Sequence, residues 1–119
     1  MRDVKELEVY QKVFIFSERI YSLTKSFPRE EIFGITSQIR RAVTSVGSNI
    51  AEGFDRNSMK EFIRYLYISK GSASEIEFLL SLSQSLGYIS INEYVEVNND
   101  LISIKKMLTK LIKSLHSKI

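Results

Sequence analysis

Apolar residues return at alternating steps of three and four along the last quarter of the chain: Tyr94, Val97, Leu101, Ile104, Leu108, Leu111 and Leu115. That spacing keeps one face of an α-helix in line for three heptads, which the two-residue period of a strand cannot do. A helix of this kind is apolar on one side and has to bury that side against other helices. "SINE" precedes the run, with Ser90 and Glu93 spaced as a capping box.

Three further segments carry the same periodicity. "SMKE" sets Ser58 and Glu61 as a second capping box, and Phe62, Leu66, Ser69, Ala73, Ile76 and Leu80 follow as a seam that should end at Gly87 in "SLGY". Upstream, Ile39, Val43, Val46 and Ile50 form a seam with Gly53 one step beyond and Thr36 as the expected N-cap. About 100° round that helix runs a small and polar stripe: Gln38, Ala42, Ser45, Asn49 and Glu52. The first segment, residues 4–25, has two seams: Val9, Val13, Phe16, Ile20 and Leu23, and beside them Leu7, Tyr10, Phe14 and Tyr21. Together they span an arc wider than one core face requires. Either this helix is deeply buried in its own bundle, or it is shared with a neighbouring subunit.

The connections "SFPREEIFG", "FDRN" and "GYIS" are short, so consecutive helices become antiparallel neighbours. The expected fold is all-α: an up-down-up-down antiparallel four-helix bundle formed by residues 1–119 as one domain. With Pro28 the only proline and glycine sparse, nothing interrupts it.

Cysteine is absent, which removes disulfides, thiolate chemistry and Cys-ligated zinc. The only histidine is His116, near the last residue, and no Glu-x-x-His pair or glycine-rich phosphate loop occurs. Glu52, Glu75 and Glu77 could be imagined as paired carboxylates, but capping or ion pairing accounts for them. The expectation is a non-enzyme without cofactor or metal. "MRDVKELEVY" lacks the apolar core of a signal peptide, and no stretch approaches the ~18 apolar residues of a membrane span, so a cytoplasmic location is expected.

Net charge is +3, and it is unevenly spread. Residues 101–119 carry Lys105, Lys106, Lys110, Lys113 and Lys118 and no acid. Lys106, Lys110 and Lys113 share one helix face, away from the apolar seam. Two readings stand open: cations favoured by the helix C-terminus, or a patch that binds phosphate.

The blocks "QIRRAVTSVGSNIAEGF", "EFIRYLYISKGSASEIEFLL" and "LGYI", in this order and spacing, make the chain resemble the bacterial proteins encoded within intervening sequences of 23S ribosomal RNA genes, the S23 ribosomal protein family. The resemblance implies a bundle that assembles into homopentameric rings. It also implies kinship with accessory variability determinants of diversity-generating retroelements, which bind nucleic acid and a reverse transcriptase. The family has proline where this chain has Gly47, so a bend in the second helix is open but not enforced. Gln38, Arg40, Arg41, Ser45, Asn49, Glu52 and Gly53 fall on the family motif, as do Gly71, Ser72 and Glu75. A tight "FDRN" hairpin would set Arg41 across from Gly71–Glu75 and Asn49 across from Phe62. An Arg41–Glu75 ion pair is then expected, with Arg40 as the alternate donor.

Two functions follow. One is a non-catalytic homo-oligomer holding structured RNA by its phosphates through Arg40, Arg41, Lys105, Lys106, Lys110 and Lys113. The other is a scaffold that docks a partner protein, such as a reverse transcriptase, and touches no nucleic acid.

Overall fold

Serines start the two longest helices. Ser90 Oγ accepts from the Glu93 N–H at 3.1 Å, and the Glu93 carboxylate accepts from the Ser90 N–H at 2.9 Å, a complete capping box. Ser58 makes half of one. Its hydroxyl accepts from the Glu61 N–H at 3.2 Å, while the Glu61 carboxylate is taken by Arg64 one turn along. Gly87 ends the third helix with φ +80°, and the Tyr88 N–H reaches back to the Ser83 carbonyl at 2.8 Å. Only glycine takes that conformation without steric cost, which is why the stop falls there.

The computed structural model describes residues 3–119. The four helices are α1 (Glu8–Thr24), α2 (Ile35–Phe54), α3 (Met59–Ser85) and α4 (Ile91–His116), with 3-10 turns at Val4–Glu6 and Arg29–Glu31. There are no strands among the described residues. The body measures 46 × 24 × 20 Å, a length set by the ~40 Å of α3.

Cross-helix bonds fix the direction of each neighbour. Arg40 reaches Tyr21 and Thr24 while Gly47 lies beside Val13, so α1 and α2 run antiparallel. Ser45 meets Ser72 and Val46 meets Ser69 between α2 and α3. Glu77 meets Lys105 and Ser81 meets Tyr94 between α3 and α4. Lys12–Asp100 at 3.8 Å and Arg19–Glu96 at 2.7 Å close the ring between α1 and α4. The seams meet at the centre, where Ile20, Ile39, Ile50, Leu66, Ile76, Leu80, Leu101, Ile104 and Leu108 are fully buried. Each such side chain contributes about 1.5–3 kcal/mol by leaving water.

Several expectations are corrected. In α4 the buried position passes from the expected Leu111 to Ile112, because a straight helix of 3.6 residues per turn drifts off a strict seven-residue repeat. Thr36 is buried inside α2 and does not cap it. The Glu31 carboxylate takes that role, accepting from the Ile35 N–H at 3.1 Å. The α2–α3 register lies about one helical turn beyond that of a tight hairpin, since the Asp55 and Arg56 N–H groups keep winding onto the Ala51 and Gly53 carbonyls. Phe62 therefore packs edge-on against Phe54, ring centroids 5.9 Å apart, and not against Asn49. The second seam of α1 is only partly covered: Leu7 is buried, but Phe14 is 58% exposed and Tyr21 40%.

The middle of the small and polar stripe of α2, Ala42, Ser45 and Asn49, is drawn in toward α3, while Gln38 and Glu52 at its ends are exposed. The Ser69 hydroxyl, fully buried, donates to the Val46 carbonyl at 2.9 Å. Ser45 and Ser72 hydroxyls bond at 2.9 Å, and Asn49 donates to both the Ser45 hydroxyl and its carbonyl. Short side chains let the two backbones close up, and each polar atom drawn inside is matched, as burial demands. Gly47 is different. A Cβ there would meet only Val13 Cγ1, at an ordinary 3.5 Å, and α2 is one unbroken helix through it. Gly47→Ala is therefore expected to raise stability by about 0.5–1 kcal/mol, read as a higher urea midpoint with unchanged m.

One end of the bundle is clasped. Tyr88 Oη donates to Glu31 at 2.8 Å, and the Tyr88 and Phe27 rings lie 5.5 Å apart, tying the α1–α2 connection to the α3–α4 connection. The bond from Tyr88, aided by the Ile35 N–H, holds the Glu31 carboxyl below the usual carboxylate range, and Tyr88 is raised in turn. A depressed carboxyl stabilises the fold above its unfolded pKa, and that stability fades as pH falls through the folded value. Tyr88→Phe should thus flatten the acid side of the stability–pH curve below the ordinary carboxylate range and lower stability near neutrality. Urea titrations across pH 3–7 would test it, and an unaltered acid limb would contradict the assignment.

Candidate nucleic-acid interface

The lysines of α4 do not stand on a free helix face. Their side of α4 forms one wall of a groove of about 520 Å³, and α3 supplies the other wall with Lys70 and Glu77. Lys70, Lys105, Lys106, Lys110 and Lys113 all border it. Ile102 and Thr109 complete the α4 wall, an apolar and hydroxyl surface on which lysine stems can lie. Lys105 pairs with Glu77 at 3.3 Å and is half-buried. Among the described residues, Lys70, Lys106, Lys110 and Lys113 enter no ion pair.

Four unpaired cations along one groove repel one another, and the i,i+4 pair Lys106–Lys110 does so most directly. An anion laid in the groove relieves that repulsion. Lysine ammonium groups are point charges with rotatable donors, suited to phosphate oxygens and not to the planar edge of one base. The geometry thus favours a run of phosphates over a single small ligand.

Lys70 was not legible as a site residue in the sequence. It stands alone between Ser69 and Gly71, and only the packing of α3 on α4 brings it beside Lys106 and Lys110.

Arg40 and Arg41 lie elsewhere. Arg40 turns to α1: its Nε donates to Thr24 Oγ1 at 2.9 Å, its Nη2 to the Tyr21 carbonyl at 3.3 Å, and its guanidinium covers the Tyr21 ring at 4.8 Å. It is not a donor to Glu75. Arg41 borders a shallow recess between α2 and α3 with Gln38, Ser45, Ser72 and Glu75. No ion pair within 4.0 Å joins Arg41 to Glu75; the Ser45–Ser72 bond makes the cross-helix link at that level. Glu52 is exposed and pairs with Arg56 at 3.4 Å, so it faces the α2–α3 turn. Gly53 is buried against Tyr65, whereas Gly71 is exposed, and a Cβ there would meet nothing within 4 Å. Asn49 is bound within α2 and is half-buried.

Among the described residues no group of three or more His, Cys, Asp or Glu side chains could hold a metal ion. No helix there is long and apolar enough to cross a membrane.

No curated protein matches the chain. A crystal structure of a protein with unknown function from the S23 ribosomal protein family of Bacteroides thetaiotaomicron is similar, at 37% identity and a TM-score of 0.82, covering 88% of this chain and 95% of that one. The model of the 23S rRNA-intervening sequence proteins matches residues 5–110, nearly the whole bundle including α1 to the lysine stretch of α4. The chain belongs to that family, the 23S rRNA-intervening sequence proteins.

Proposed function

We propose that this protein is a non-catalytic helical bundle that binds RNA by its phosphates in the α3–α4 groove and works as a homo-oligomer. The carrying observation is the convergence of Lys70 with Lys105, Lys106, Lys110 and Lys113 on one groove, with only Lys105 neutralised. The family's description ties its members to 23S rRNA genes, which is consistent with an RNA ligand. Oligomerisation multiplies a modest groove. Repeated around an axis, each copy raises the effective concentration of the next phosphate run. The uncovered α1 surface, with Phe14 and Ile15 more than half exposed, is the kind of apolar face that a second subunit would cover. A pentamer is the expected number, by the family resemblance.

Binding of this kind is steeply salt-dependent and nearly blind to sequence. Titration of purified protein into structured RNA at ~50 and ~200 mM salt should give tight binding at the first and loss of most of it at the second. Absence of binding at the lower salt would remove the reading. Light scattering at micromolar concentration should report several subunits per particle, and a stable monomer would defeat the oligomer. The second reading, a protein-docking scaffold, draws on Phe33, 94% exposed in the α1–α2 connection.

A further inference from the structure

Two aromatic rings stand one helical turn beyond the lysines at one end of the groove. Tyr67 is one turn from Lys70 on α3, and His116 is one turn from Lys113 on α4. Residues three apart on a helix share a face, about 5–6 Å between Cβ atoms, so both rings extend the groove walls beyond its last lysines. The Tyr67 and His116 rings lie 6.5 Å apart and tilted by 58°, so they do not stack on each other.

Tyr67 differs from Tyr21, which is exposed, and from Tyr65, which is half-buried. Arg40 covers the Tyr21 ring at 4.8 Å, and Arg56 and Arg64 lie over Tyr65 at 5.1 and 4.8 Å. Those π-faces are occupied by the protein's own guanidinium groups. Among the described residues no cation lies over Tyr67, which is 53% exposed and stands outside the core. Exposed aromatic area of this size, placed where a phosphate run would leave the groove, matches the pairing used for single strands: cations for the backbone and a flat ring for a base.

We infer that Tyr67 is a stacking platform, and that the ligand of the groove is single-stranded or looped RNA with an unstacked base, not an uninterrupted duplex. This rests on the phosphate-binding reading of the groove. In a duplex the bases are stacked on one another and cannot reach a ring at the mouth. In a loop or tail one base can leave its neighbours and lie on Tyr67 while flanking phosphates remain with Lys70 and Lys113.

The test compares a labelled, unstructured oligouridine with a blunt RNA duplex of the same length, titrated by fluorescence anisotropy into the full chain. The wild type should prefer the oligouridine. Tyr67→Leu, which keeps apolar volume but loses the flat ring, should weaken oligouridine binding about tenfold. It should leave duplex binding and both salt slopes unchanged, since no phosphate contact is lost. Tyr67→Phe should bind like the wild type. Lys113→Gln should lower the salt slope on both RNAs. Oligouridine bound equally by Tyr67→Leu, or a wild type that prefers duplex, overturns the stacking platform while the groove stands. A wild type that binds neither RNA removes the groove reading and the platform together.

Discussion

Gly53→Val lowers stability by about 3 kcal/mol, a fall in melting temperature on the order of 10–15 °C for a domain of this size. Even a single Cβ at this position would lie 2.6 Å from the Tyr65 Cβ and 3.0 Å from Phe62 Cδ1. Tyr65 Cβ is one bond from the α3 backbone, so no rotamer change moves it away. The last turn of α2 has to separate from α3, which loosens the edge-on Phe54–Phe62 contact and the packing below it. Gly53→Ala should also destabilise, though by less, because alanine's better helix propensity returns up to ~1 kcal/mol. The Gly47→Ala variant, on the same helix, changes stability in the opposite direction, so the pair separates a packing requirement from a propensity effect. A Gly53→Val protein that melts with the wild type would mean that α2 and α3 are not held this close.

Replacing Lys70, Lys106, Lys110 and Lys113 together by glutamine should reduce RNA affinity on the order of a hundredfold at ~50 mM salt. The slope of log K against log salt should fall by about three, as up to four phosphate contacts disappear at ~0.7 each on a single strand. Lys105 is left in place because Glu77 already neutralises it. The fold should survive: Lys106, Lys110 and Lys113 are exposed, none of the four is buried, and glutamine has nearly the helix propensity of lysine. Circular dichroism establishes that point before the titration. A folded variant that binds RNA with the wild-type affinity and slope would exclude the groove, and Arg41, exposed at the α2–α3 recess, would be the next basic residue to test.

The helices and their order were readable because the signals are local. Steps of three and four mark the buried side, Ser90–Glu93 marks a start, and Gly87 marks a stop, each within a few residues of the place it acts. What failed depended on distant groups. Thr36 had a reasonable N-cap sequence, but Glu31, held by Tyr88 from the far connection, reached the α2 amide first. Arg40 is only the alternate donor to Glu75 in the sequence, and Thr24 and Tyr21 on α1 take it with an acceptor and an aromatic face that only the α1–α2 packing presents. The α2–α3 register slipped because the connection winds on before it turns. The candidate site was half legible: four of its lysines form a run on one helix, but Lys70 gains meaning only when α3 is laid beside α4.

The two ends of the bundle are held with unequal strength, and that sets where the molecule opens first. The Glu31–Tyr88–Phe27 clasp joins both connections at one end. At the other end there is one connection, and α4 has no buried residue after Ile112. Amide hydrogens there should exchange through brief local fraying, while those near the clasp wait for global unfolding. Lys113 and His116 lie on that fraying turn, so the groove is completed at the least protected part of the chain. Slowed exchange at residues 113–117 would then be the earliest sign of an occupied groove, ahead of any rise in melting temperature.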